Sequence, residues 1–271
     1  MDDLAKFNQE RWEELAEANV RYSRPALDLT RKSARQMVDS RGVMGDPAGK
    51  DVLCLAGGGG QQSAAFALLG ANVTVLDLSE TQLRRDRQAA EHYGFAIRAV
   101  QGDMRDLSCF GDDSFDIVWH AHSLNFVPDA RPVFDEVRRV IRPGGLYHLH
   151  YSNPFAQGIQ DAEWDERGYP LRDPYVDGHE FTGDQMTWEV GDGRGGAKLI
   201  QGPREFRHAL STVVNGLIAR GFVILGIWED DTDADPDAKP GTWRHFQYIL
   251  PPWLVLWAVY RPRSPIATCG G

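Results

Sequence analysis

The chain has 271 residues, 42% of them hydrophobic and 25% charged, which is the profile of a globular protein large enough for one α/β domain or one domain carrying a sizeable insertion. A formal net charge of −10 repels phosphate backbones and predicts no nucleic-acid partner. The basic clusters Arg84-Arg85-Asp86-Arg87 and Arg138-Arg139 fall in predicted helices and read as solvated faces. Cys54, Cys109 and Cys269 have neither disulfide-framework nor zinc spacing, which predicts a reducing, cytoplasmic setting and no metal. Met1-Asp2-Asp3-Leu4 lacks the basic start of a secretory leader, and the apolar stretch from Ile249 to Tyr260 is too short to span a bilayer, so no membrane partner is expected.

Along the chain, residues 4–20 place Leu4, Phe7, Trp12, Leu15 and Ala16 roughly on one helical face, and a second helix is predicted over 27–39. After a Gly/Pro-rich connector, the apolar run Asp51 to Ala56 ends in Gly57-Gly58-Gly59-Gly60, as a buried parallel strand running into a tight turn does. A helix over 61–69 stops at Gly70, and Asn72 to Leu78 is a second strand carrying Asp77 near its end. Ser79 caps a third helix reaching Gly94, and strands follow over 95–100 and 115–119. A helix over 133–141, ended by Pro143-Gly144-Gly145, leads to a fifth strand over 146–151. This alternation predicts βαβ units and a parallel sheet with helices on both faces.

Between 152 and 203 the alternation lapses, with two strand-like runs flanking residues 191–196 as a hairpin would. A helix over 204–220 and a strand over 222–228 resume the pattern. The run from Glu229 to Asp237 holds six acids and reads as an exposed loop, and residues 252–260 close the sheet.

Glycines between a strand and a helix let backbone approach a ligand closely, and the helix N-terminus offers unpaired N–H groups. Asp77, at the end of the next strand, can accept hydrogen bonds from both hydroxyls of a ribose. These features alone predict a nucleoside-containing cofactor, and a dinucleotide satisfies them as well.

The run Val52 to Gly60 resembles the first motif of the class I S-adenosylmethionine-dependent methyltransferases, in the branch acting on small molecules. Asp77 matches that family's ribose acid. Gly102-Asp103-Met104 is similar to its adenine element, in which the acid bonds the amino group and the next residue packs on the ring. Phe115-Asp116-Ile117-Val118 and Ser123-Leu124-Asn125-Phe126 resemble its fourth strand and following loop, and Arg138 to Gly145 its turn into the fifth. The resemblance covers residues 50–151. It implies a Rossmann-like, seven-stranded, mostly parallel sheet with N-terminal helices and an inserted cap. It also implies S-adenosylmethionine as cofactor and S-adenosylhomocysteine as product. The expected cofactor contacts are Ala56, Gly57, Gly58, Gly60, Gln62, Asp77, Leu78, Gly102, Asp103, Met104 and His120. Two positions depart from the family's pattern: Cys54 stands where it has an acid and Ala56 where it has its first glycine.

Five segments follow: a helical part of the cap (1–49), the cofactor core (50–151), an inserted substrate segment (152–203), completion of the sheet (204–262) and a tail (263–271). Methyl transfer needs alignment and, for an oxygen or nitrogen nucleophile, a base near neutrality. His122 and His120 are the candidates, while His148 and His150 share a strand face and read as packing. Tyr22, His122, Tyr151, Trp164, Tyr175 and His179 are the candidate substrate contacts, and Trp188 is a further aromatic that could line the pocket. The expected assembly is a monomer or homodimer with a small-molecule acceptor. The rival readings are a dinucleotide oxidoreductase and a non-catalytic S-adenosylmethionine-binding protein.

Overall fold

The computed structural model describes residues 1–182, 187–191, 197–230 and 232–262. Two helices, α1 (Asp3–Glu17) and α2 (Arg31–Val38), precede strand β1 (Asp51–Leu55). Then come α3 (Gln62–Leu68), β2 (Asn72–Asp77), α4 (Glu80–Tyr93), β3 (Arg98–Gln101), β4 (Phe115–His120), α5 (Arg131–Val140) and β5 (Ile141–Ser152). The insertion contributes β6 (Glu180–Phe181), β7 (Thr187–Gly191), β8 (Ala197–Gln201) and β9 (Glu205–Phe206). The chain closes with α6 (Leu210–Ala219), β10 (Phe222–Asp230), α7 (Trp243–Ile249) and β11 (Trp253–Tyr260).

Seven strands make one sheet in the order β10-β11-β5-β4-β1-β2-β3. The pairs among β1 to β5 are parallel, and β11 runs antiparallel between β5 and β10. The Rossmann-like, mostly parallel expectation holds. β1 is buried on both faces because its neighbours alternate between two cores. Leu53 and Leu55 pack with Val133, Phe134 and Val137 of α5, while Val52 and Cys54 pack with Ala65 and Phe66 of α3. A strand covered on both sides tolerates no charge, which accounts for its unbroken apolar run.

Several boundaries differ from the sequence expectation. The third strand starts at Arg98, not Phe95. Residues 141–145 already belong to β5: Phe115 and Ile117 of β4 pair with Ile141 and Leu146, so Pro143-Gly144-Gly145 lies in a bulge, not a helix stop. The predicted helix over 204–220 is two elements, β9 and α6. Glu205-Phe206 pairs with β6 before the helix begins. α7 was not expected, and β10 extends through Asp230, drawing the first acids of the 229–237 run into the sheet.

The hairpin expectation stands: β7 and β8 pair antiparallel from Thr187↔Gln201 to Gly191↔Ala197. This hairpin rests on α1 through a small core of Leu15, Val20 and Ile200, with Trp12, Trp188 and Val190 against it. Lys198 Nζ to Glu14 Oε1, 2.9 Å, closes the contact at its edge. The N-terminal helix and the insertion therefore meet above the carboxyl ends of the strands.

Candidate active site

In the sheet, the chain leaves β1 toward β2 on one side and reaches β4 on the other. An open α/β sheet binds its ligand in the crevice at such a reversal. A cavity of about 610 Å³ lies there and extends along the strand ends from Asp77 of β2 to Asp230 of β10. That is the size range of small-molecule sites.

The end over β1, β2 and β3 is lined by Ala56, Gly57, Gly58, Gln62, Asp77, Leu78, Gly102 and Met104. The glycines leave room that side chains would fill. A Cβ on Gly58 would sit 2.9 Å from Asp77 Cγ, and one on Gly102 would sit 3.1 Å from Leu76 Cδ1. Gln62 Oε1 and Gln82 Oε1 line this end, buried and without a partner, so the cradle offers acceptors to a ligand.

Three amides of the glycine loop are already engaged within the chain. Gly58 N–H donates to Asp77 Oδ2 (2.9 Å), Gly59 N–H to Asp86 Oδ2 (3.0 Å) and Gly60 N–H to Asp86 Oδ1 (3.0 Å). Ser63 Oγ donates to Asp86 as well. Burial pushes the Asp86 carboxyl up to about 7 despite these donors, and burial likewise raises Asp77 to about 6. A pyrophosphate, the mark of a dinucleotide, would meet three occupied amides and the Asp77 carboxylate here. A cofactor bearing a ribose but no phosphate fits.

Residues 53–149 match a family described as methyltransferase domain. An uncharacterized methyltransferase of Bacillus subtilis, YbaJ, is 38% identical over 187 residues, covering 67% of this chain and 69% of that protein. A crystal structure of an S-adenosylmethionine-dependent methyltransferase from Mesorhizobium loti shares the fold, with a TM-score of 0.60 and 23% identity over 86% of this chain and all of that one. The chain belongs to the S-adenosylmethionine-dependent methyltransferases. A sterol 24-C-methyltransferase of Gibberella zeae is a further relative, 35% identical over 195 residues, 71% of this chain but 43% of that protein. The chain therefore spans less than half of this second relative.

Three of the cofactor contacts expected of this methyltransferase, Gly60, Asp103 and His120, do not line the cavity. Gly60 lies beneath the loop at φ 76°, where a Cβ would strike Arg85 O at 2.6 Å. Asp103 is turned into an ion pair with Arg105 (2.6 Å), which also holds Asp2 at the start of α1. Ala56, the residue in place of the first glycine, has φ 45°, so its backbone carries the left-handed conformation that a glycine would adopt freely. Cys54 points into the core between β1 and α3, and burial raises its thiol well above the usual range.

His120 faces away from the cavity. It is fully buried, with Nδ1 2.8 Å from Tyr147 Oη and Nε2 3.0 Å from Ser123 Oγ, so both ring nitrogens are engaged within the chain and neither lines the cavity. The β4 side chains alternate, and the cavity face belongs to Trp119, followed by Ala121 and His122 in the loop. His122 does line the cavity. Burial, with His150 and His120 nearby, lowers it to about 3, so the ring stays neutral.

Read as packing, His150 proves to be a cavity residue. His148 stacks on Trp119 at 4.3 Å, whereas the His150 ring lies 5.3 Å from that of His122 and its Nε2 is 3.5 Å from Asp230 Oδ2. Burial lowers His150, and Asp230 opposes that shift.

Of the predicted substrate contacts, Tyr22 and His122 line the cavity and four do not. Tyr151 belongs to the core beneath the sheet. Trp164 packs on Tyr169 and His245. Tyr175 stacks on Phe155, and His179 sits 3.6 Å from Asp173. Trp188, the further aromatic named from the sequence, lines it too, and Trp12, Phe126, Trp243 and Trp253 take the place of the four, with Glu205 and Asp230. Among the described residues no group of three or more His, Cys, Asp or Glu could hold a metal, and no helix is long and apolar enough to cross a membrane.

Proposed function

We propose that this methyltransferase acts on a small-molecule acceptor, at an oxygen or nitrogen, with the acceptor held in the part of the cavity over β4, β5, β11 and β10. The single observation behind this is continuity: one cavity runs from Asp77 and the glycine loop to His122, His150 and Trp253. Five strand spacings separate β2 from β10 in the sheet, about 24 Å at the usual spacing, which is room for two molecules end to end.

S-adenosylmethionine, when bound, supplies a methyl group already activated on a sulfonium. The chain's own residues do the rest. Asp77 accepts from ribose hydroxyls, and Gln62 and Gln82 offer further acceptors. The aromatic walls exclude water and orient the acceptor. His150, with Asp230 behind it, takes the acceptor's proton. His122 is the weaker base because no carboxylate offsets its desolvation.

Trp12 of α1 and Trp188 of β7 sit edge-to-face at 6.0 Å over this region, and we assign that pair the capping role. The catalytic reading is favoured over a non-catalytic one by the His150–Asp230 pair, which the cofactor cradle does not require.

A labelled-methyl transfer screen over phenols, amines, carboxylates and thiols tests the proposal. Product from none of these classes, by an enzyme that binds S-adenosylhomocysteine, would sink it. Carbon is the second reading, supported by the relative named sterol 24-C-methyltransferase. Transfer to a sterol side chain in the same screen would favour it.

A further inference from the structure

The acceptor half of the cavity carries a chemical signature of its own. Its walls are a continuous series of rings. Trp188 meets Trp12 at 6.0 Å and Trp12 meets Phe126 at 5.3 Å, both edge-to-face. His122 links Phe126 (6.5 Å) to Trp253 (6.1 Å), and Trp253 continues to Trp243 at 5.5 Å. The rings are thus differently oriented along one wall, and a ring face turned to the cavity offers a cation its negative quadrupole.

The charges in the same walls have one sign. Glu205, Asp230 and Asp233 line the cavity, and Glu205 forms no ion pair among the described residues. Burial lifts Glu205 to about 6, against the amides of Asn125 and Gln157, so it is ionised at neutral pH yet lacks a positive neighbour. The cationic side chain in the lining, Arg21, belongs to the turn Arg21–Ser23 that packs on the glycine loop, where Gln61 Nε2 donates to Tyr22 O at 3.0 Å. Arg21 thus lies at the cofactor end. An unpaired carboxylate in an aromatic enclosure is costly alone and favourable once a cation enters.

We propose that the acceptor is an amine, which enters as its ammonium form and is held between the aromatic walls and Glu205. This rests on the methyl-transfer reading above and narrows it to nitrogen. The ammonium gives one proton to His150, and the freed lone pair forms the N–C bond. The S–C bond to the methyl breaks as this happens, with its electrons remaining on sulfur. The products are a methylated ammonium and the neutral thioether.

The test uses the whole chain saturated with S-adenosylhomocysteine, with saturation first established by calorimetry. Tryptophan fluorescence then follows titration with three probes of like shape, 2-phenylethylamine, 2-phenylethanol and 3-phenylpropionate. The amine is expected to bind at least tenfold more tightly than the alcohol, with the carboxylate weakest. Glu205→Gln is expected to remove most of that preference while leaving S-adenosylhomocysteine affinity unchanged, and Trp12→Leu to weaken amine and alcohol together. Equal or weaker binding of the amine, binding of none of the three, or a preference unchanged in Glu205→Gln overturns the amine assignment. Methyl transfer to phenols but not amines would overturn it while leaving the broader reading intact. Failure at the calorimetric step would instead strike the cofactor site itself.

Discussion

Asp77 and Asp86 divide three amides of the glycine loop between them, Asp77 taking Gly58 N–H and Asp86 taking Gly59 and Gly60 N–H. The turn is thus held by carboxylates from β2 and α4, and α4 is docked so closely that a side chain at Gly60 would collide with its backbone. Asp86 supplies from a helix the acid that β1 lacks at Cys54. Its role is positional, since it does not line the cavity.

Asp77 is expected to bind the ribose in its ionised form. Burial raises it to about 6 in the free protein. Hydrogen bonds from ribose hydroxyls favour the carboxylate and lower that value in the complex, so affinity is present above pH 6 and falls as pH drops through it. Calorimetry with S-adenosylhomocysteine at pH 8 and pH 5 checks the sign. Asp77→Ala should cost about 1–3 kcal/mol at pH 8 and should flatten the dependence. An unchanged affinity would mean the cofactor lies elsewhere.

Asp86→Asn tests the loop anchor. An amide offers one acceptor oxygen where the carboxylate offers two, so at least one of Gly59 N–H, Gly60 N–H and Ser63 Oγ–H loses its partner, at about 1–3 kcal/mol of folding stability. The pH dependence has a definite sign. Asp86 stands at about 7 in the folded chain against a usual 3.8, so between those values the folded state binds more protons and the wild type loses stability as pH rises. The variant lacks this contribution. Its deficit relative to wild type is therefore larger at pH 5 than at pH 8. Urea denaturation at both pH values would show it; a deficit that grows with pH would contradict the assignment.

Ala56 holds φ 45°, a conformation that costs an alanine about 1–2 kcal/mol. Ala56→Gly relieves that strain but adds about 0.5–1 kcal/mol of unfolded-state freedom, and it loses the contact of the Cβ with the core around Leu53 and Leu55. The balance predicts stability unchanged or raised by up to about 1 kcal/mol, with cofactor affinity retained. A loss exceeding 1 kcal/mol would show that the Cβ contact outweighs the strain.

The glycine-loop end of the cavity could be read from the chain because each of its parts is local. A buried strand, a glycine turn and an acid at the next strand end occur together within residues 51–77, and strand alternation then sets Asp77 beside Gly58. The hairpin over 187–201 was legible for the same reason. The acceptor half was not. Trp12 and Trp188 meet only because β7 and β8 fold back onto α1, and nothing local marks Trp12 as a cavity residue. Asp230 looked like one of six solvated acids until β10 proved longer than its apolar run. His120 and His122 were indistinguishable by type, and strand alternation at Trp119 buries the first while the second is in the loop. A buried acid within the arginine-rich helix α4 was the one overlooked signal, since Asp86 sits on the face of Leu83 and Ala90.

The last prediction concerns the proton. If His150 is the base, His150→Gln should lower kcat by about 10²–10⁴ on an amine or phenol acceptor while leaving S-adenosylhomocysteine affinity intact. A structural role would disturb both. Asp230 gives a second, independent reading. Its charge raises His150 against the lowering by burial. Asp230→Asn removes that charge, so His150 titrates at lower pH and the acid limb of the kcat/KM profile moves to lower pH. The imidazole is then also the weaker base, so the plateau falls. His122→Gln should leave the position of that limb nearly unchanged, because burial already keeps His122 neutral across the working range. A limb that moves in His122→Gln and stays fixed in Asp230→Asn would reverse the assignment and make His122 the base.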